Sequence, residues 1–208
     1  MLNHKVKDFC KEREQEFQMI SEERKQKLLV LAEYIRQCND ENQTPKLVVI
    51  CTHNSRRSHM GQIWLAVGTE YYNLPEIQSF SGGTEATAFN IRAVSAFRNI
   101  GFDITSSDDG ASNPLYKISW NNEMQPYEAF SKKYDTAPNP KEKFGAIMVC
   151  TEADKGCPIV SGCDFRLALP YEDPKAYDDT ELEEEKYHGR ATQIAREILY
   201  TLSQVSQG

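Results

Sequence analysis

The chain has 208 residues, 24 basic and 31 acidic, for a formal net charge of −7. That length suits one domain with additions and buries about 70% of the unfolded surface without staples. The acidic balance excludes the basic stripe of a nucleic-acid binder, and a hydrophobic share of 39% beside a charged share of 26% reads as globular.

Residues 1–45 read as a helical extension. Phe17, Ile20, Leu28, Leu31 and Ile35 recur at three- and four-residue steps, a stripe for one helix face. Ser21 with Glu22 and Glu23 starts a second helix, and the run from Asn39 to Pro45 breaks it. A hairpin packed on the core is preferred over a partner-docking arm. The opening residues are charged throughout and lack the apolar stretch of a signal peptide. The longest apolar runs, Leu47 to Cys51 and Ala146 to Cys150, are far too short to span a bilayer. A cytoplasmic protein without membrane or nucleic-acid partners is expected. Six cysteines in such a chain point to catalytic, redox or inert thiols rather than a disulfide framework.

From residue 46 to the end the pattern is that of an α/β domain. Leu47 to Cys51 is a buried-type strand, a polar loop follows, and Met60 to Val67 reads as a helix. Ile77 to Gly83 is a second strand. Asn90 to Asn99 is a helix with Ile91, Ala93, Val94 and Phe97 inward, ended by Ile100 and Gly101. Residues 107–143 lack periodicity and read as an inserted lid or rim loop, with Trp120 and Met124 as anchors. Ala146 to Cys150 and Asp164 to Leu169 are two further strands, and Glu181 to Leu202 is a closing amphipathic helix. Strands alternating with helices imply a parallel sheet.

The chemistry concentrates in Cys51 to Ser58, CTHNSRRS, between a strand and a helix. Five residues separate Cys51 from Arg57. They can curl so that backbone N–H groups of Thr52, His53, Asn54, Ser55 and Arg56 line a nest for a tetrahedral oxyanion. The helix start adds positive potential, Arg57 forks onto two oxygens, and Ser58 donates to the sulfur. Cys51 lies at the base, where that field favours a thiolate nucleophile. Asn54 suits a left-handed backbone angle. Arg56 adds charge at the mouth. A buried cysteine beside a chance arginine would give the same spacing, but the strand before, the Asn inside and the Ser after make the pattern specific. No metal ligand set is recognised, since neither C-x2-C nor a suitably spaced His pair occurs.

The stretch VICTHNSRRSHMGQ resembles the phosphate-binding loop of low-molecular-weight protein tyrosine phosphatases and of the arsenate reductases built on the same fold. Residues 79–104, AIMVCTEADKGCP and the stretch from Leu169 to Ile198 extend the resemblance; residues 1–45 and 107–143 have no counterpart. It implies a three-layer sandwich with a four-stranded parallel sheet, and Asp173, before Pro174, as general acid, with Glu172 its nearest rival. It implies arsenate reduction to arsenite by Cys51, Cys150 and Cys157 in a disulfide relay. Thioredoxin would be the electron donor, with no tightly bound cofactor. The alternative is hydrolysis of phosphomonoesters through a phosphocysteine. A third reading is a non-catalytic phospho-ligand binder, against which Cys51, Arg57 and Asp173 argue together. Cys163 is either a further resolving thiol or a bystander, and Cys10 and Cys38 are bystanders. Gln62 stands where some reductases carry a glutamate for potassium, so no such site is expected.

Overall fold

The computed structural model describes residues 1–108, 110–121, 123, 125–156 and 159–206. Met124 and Cys157 lie outside the described residues.

The central sheet is four-stranded and wholly parallel, in the order β2-β1-β6-β7. Its strands are β1 (Lys46–Cys51), β2 (Gln78–Gly83), β6 (Phe144–Met148) and β7 (Cys163–Ala168). β1 and β6 are apolar because helices cover both their faces. The chain leaves β1 for β2 on one side and later returns to β6 on the other. Such a switch opens a crevice at the carboxyl ends of the two strands, where parallel sheets bind ligands. Cys51 ends β1 in that crevice, and Cys150 follows β6 there.

The helices are α1 (His4–Glu14), α2 (Glu22–Asp40), α3 (Arg57–Tyr71), α4 (Ile91–Ile100), α5 (Thr151–Gly156) and α6 (Glu183–Ser206). Ser21 caps α2 by accepting from Arg24 N, and Asn90 caps α4 by accepting from Arg92 N. Gly101 closes α4 at φ 117°, a backbone angle that needs glycine. α6 packs along α1, α2, α3 and α4, burying Tyr187, Ile194, Ile198 and Leu202 as the sequence pattern predicts. The N-terminal helices are pinned to the core. Phe9 stacks on Trp64 of α3 with centroids 5.2 Å apart, and Glu14 accepts from both Tyr71 and Tyr72. No helix among the described residues is long and apolar enough to cross a membrane.

Three expectations need correction. α3 starts at Arg57, three residues before the expected Met60, because the anion loop runs straight into the helix. Ile91 is not inward. It occupies the first position of α4, turns to solvent and is 52% exposed. The stretch 107–143 is not merely a loop. With the strand that follows α4 it builds a second, antiparallel sheet of β3 (Asp103–Ser106), β4 (Tyr116–Ser119) and β5 (Tyr127–Ala129). Tyr116 and Ile118 alternate inward with Lys117 outward, and Trp120 is buried and donates to Glu70 at 2.7 Å.

Candidate active site

The loop from Cys51 to Ser58 curls at the carboxyl end of β1, and its carbonyls face outward. Thr84 N bonds Cys51 O at 3.2 Å, Glu85 N bonds Thr52 O at 2.8 Å, and Asn90 N bonds Ser55 O at 2.9 Å. Thr87 Oγ1 and Ser131 Oγ both donate to His53 O, and Met60 N donates to Arg56 O. A trans peptide holds its N–H opposite its C=O. With these carbonyls drawn outward, the N–H groups of Thr52, His53, Asn54, Arg56 and Arg57 turn toward the loop interior. The start of α3 lies on the same interior, so its own unpaired N–H groups add to the cradle.

Gly83 makes this curl possible. A Cβ there would lie 2.1 Å from Glu85 O and 2.7 Å from both Asn54 N and Thr52 O, all backbone atoms that cannot yield.

Inside the loop Asn54 takes the left-handed angle expected for it, φ 45°. Its Nδ2 donates to Ser58 Oγ at 2.8 Å, and Ser58 Oγ lies 3.1 Å from Cys51 Sγ. Because Asn54 donates to Ser58, the serine hydroxyl keeps its own proton for the sulfur. The polarity of this chain is set from outside, by Lys132 N donating to Asn54 Oδ1 at 2.8 Å. Thr52 Oγ1 sits 3.4 Å from Cys150 Sγ. Cys150 is fully buried, and its sulfur also accepts from Ala153 N at 3.4 Å in the first turn of α5.

Arg57 is buried. It donates from Nη1 to Tyr171 O at 2.7 Å and from Nη2 to Asp173 Oδ2 at 2.6 Å. Its buried Nε has no hydrogen-bond partner among the described residues, so one donor of the fork is open to a ligand. Asp173 caps the short 3-10 turn Pro174–Tyr177 by accepting from Lys175 N. Glu172 points outward, 93% exposed at its side chain, and pairs with Arg190; the geometry therefore separates it from Asp173.

The side chain of Arg56 does not stand at the mouth as the sequence suggested. It is buried, donating to Tyr187 OH at 2.5 Å and to Asp178 Oδ2 at 3.0 Å. His53 is partly exposed and lies 3.5 Å from Glu85. Gln62 donates to Tyr127 OH, whose hydroxyl is pushed up to about 12 by burial. Cys10 is buried in α1, and desolvation raises its thiol to about 12, which leaves it inert. Cys163 opens β7 and is half-buried. Sequence reasoning missed the site roles of Ser131, Lys132, Asp178 and Tyr187, the last being read only as a buried residue of the closing helix. The first two act through a hydroxyl and a backbone N–H in a stretch without periodicity, and the last two act through contacts distant in sequence.

No family model matches the chain. Arsenate reductase 2 of Staphylococcus epidermidis is 28% identical over 127 residues, covering 60% of this chain and 75% of that protein. Arsenate reductase 2 of Staphylococcus haemolyticus is 29% identical over 113 residues, covering 53% and 64%. Among solved structures, the YwlE mutant from Bacillus subtilis matches with a TM-score of 0.54 at 13% identity, over 78% of this chain and 99% of that one. A low-molecular-weight phosphotyrosine phosphatase from Vibrio cholerae O395 matches at 0.50 and 15%, over 76% and 95%. The chain is thus similar in sequence to arsenate reductases and in fold to low-molecular-weight phosphatases. The parallel sheet with its flanking helices is the fold of those phosphatase structures, and the arsenate reductase and phosphatase relatives are enzymes.

Lys132 carries an internal cost. The residue is 5% exposed; its ammonium donates to Phe130 O at 3.5 Å, stands 4.8 Å over the Phe130 ring, and is lowered by desolvation to about 8. The unfolded chain holds that proton up to about pH 10.5, so between pH 8 and 10.5 it binds more protons than the folded one. Stability from this group therefore rises with pH across that window. Lys132→Met keeps the backbone N–H. It is expected to stabilise the fold at pH 7 by about 2 kcal/mol and to flatten that rise, as read from urea unfolding at several pH values.

Proposed function

We propose that this enzyme reduces arsenate to arsenite through a three-thiol relay. The observation that supports the reading best is the second buried thiol, Cys150, set 3.4 Å from Thr52 Oγ1 of the anion loop. A phosphatase has no use for it. The arsenate reductases among the relatives point the same way.

In this mechanism arsenate enters the cradle and takes Nε and Nη2 of Arg57, displacing the Asp173 carboxylate. The Cys51 thiolate attacks arsenic(V), and a protonated Asp173 passes its proton to the departing oxygen, which leaves as water. The Cys150 thiolate then attacks Cys51 Sγ. A disulfide forms, the sulfur–arsenic bond breaks, and its electron pair leaves with arsenic as arsenite. Cys157 attacks Cys150 Sγ, freeing the Cys51 thiolate and leaving a Cys150–Cys157 disulfide. Two thiols have supplied two electrons, and an external dithiol such as thioredoxin restores them in the cytoplasm.

The segment 150–157 has to rearrange in this scheme. α5 is helical from Thr151 to Gly156; if helix ran through residues 150–157, its rise would separate the two ends by about 10 Å. A disulfide needs roughly 4.4–6.8 Å, so α5 unwinds on oxidation.

The test is steady-state turnover of the wild type with arsenate, thioredoxin and its reductase, beside an aryl phosphate. Arsenate-dependent thioredoxin oxidation is expected. Aryl phosphate hydrolysis with no arsenate turnover would replace this reading with a phosphatase, and inertness toward both would leave a binder.

A further inference from the structure

The turn bearing Asp173 is held at both ends by neighbouring arginines of the anion loop. At its start Arg57 grips Asp173. At its end Asp178 receives Arg56 Nη2 at 3.0 Å and Tyr187 OH at 2.6 Å, while Arg56 Nε donates to the same tyrosine. Arg92 approaches Asp178 at 3.9 Å and holds Asp179 and Glu183. The two grips differ in one respect. A substrate anion competes for Arg57, whose Nε is open and whose Nη2 is the natural second prong of a fork. Arg56 is buried and engaged by Asp178 and Tyr187, with its Nε 4.0 Å from Asp173 Oδ1, so it is not free to fork onto a substrate. When Arg57 releases Asp173, Arg56 still ties the turn to the loop.

We propose that Arg56 is a positioning residue, anchoring the Asp173 turn through Asp178 and Tyr187 so that the acid stays over the leaving oxygen once substrate has taken Arg57. This rests on Asp173 being the general acid. The clamp is worth more than an exposed pair because Arg56, Asp178 and Tyr187 are largely withdrawn from water and close a three-membered hydrogen-bonded ring.

The test compares wild type, Arg56→Gln and Tyr187→Phe as full chains. The first readout is kcat/KM on two phosphate esters, 4-nitrophenyl phosphate with a good leaving group and phenyl phosphate with a poor one. Proton donation matters far more for the poor one. Arg56→Gln is expected to lower phenyl phosphate turnover about tenfold more than 4-nitrophenyl phosphate turnover, with Tyr187→Phe between it and wild type. Equal losses on both esters would overturn the proposal, since Arg56 would then serve anion binding or bulk stability. The second readout is hydrogen exchange of the amides of residues 174–179 with phosphate bound. Exchange about tenfold faster in Arg56→Gln supports the clamp, and unchanged exchange overturns it. A wild type that turns over neither ester nor arsenate would instead remove Asp173 as an acid, and the exchange measurement would still decide whether the clamp exists.

Discussion

Cys51→Ser is expected to abolish turnover of both arsenate and aryl phosphate, a loss of about 10⁴-fold or more. Serine fits the space and keeps the contact to Ser58, so folding and anion binding persist. What it lacks is a base. A hydroxyl becomes a nucleophile only when its proton is taken, and neither histidine near the loop can take it. His53 sits at the rim facing Glu85. His59 is wholly buried, with Nδ1 against Ser81 Oγ and its ring stacked on Phe89, and burial holds its protonation far below the usual range. The checks are turnover on both substrates and calorimetric titration with phosphate. Retained binding with lost turnover is expected, and residual turnover near the wild-type rate would remove Cys51 from the chemistry.

The second large effect is selective. Cys157→Ser is expected to reduce multiple-turnover arsenate reduction by about a hundredfold or more while leaving aryl phosphate hydrolysis near wild type, because serine cannot accept the disulfide from Cys150. The variant should still release about one arsenite per chain, stalling as a Cys51–Cys150 disulfide. Cys150→Ser should release none. Both follow from the order of attack, with Cys150 beside the loop and Cys157 seven positions further on. Assays of burst and steady state separate the two variants, and equal losses on both substrates would contradict the relay.

The parts of this molecule that were legible in the sequence are those whose cause is local. β1 reads from five consecutive apolar residues, and α4 reads from Asn90 at one end and Gly101 at the other. The anion loop reads from the residue types a curled backbone demands, Asn54 above all. The parts that were not legible depend on partners far away. β3, β4 and β5 are three or four residues each, too short for a period to register. Lys132 supports Asn54 with a backbone N–H, which every residue but proline has. Arg56 looked like a substrate-facing charge because it sits beside Arg57 in the loop; Tyr187 and Asp178, 131 and 122 positions away, show where it goes.

The relay is tested most directly by mapping disulfides. Reduced wild-type protein would be mixed with one equivalent of arsenate without external thiol, quenched in acid, alkylated, digested and analysed by mass spectrometry. The expected result is a Cys150–Cys157 disulfide with Cys51 recovered as the alkylated thiol. Recovery of all three as alkylated thiols, or Cys51 oxidised with Cys150 and Cys157 untouched, would contradict it.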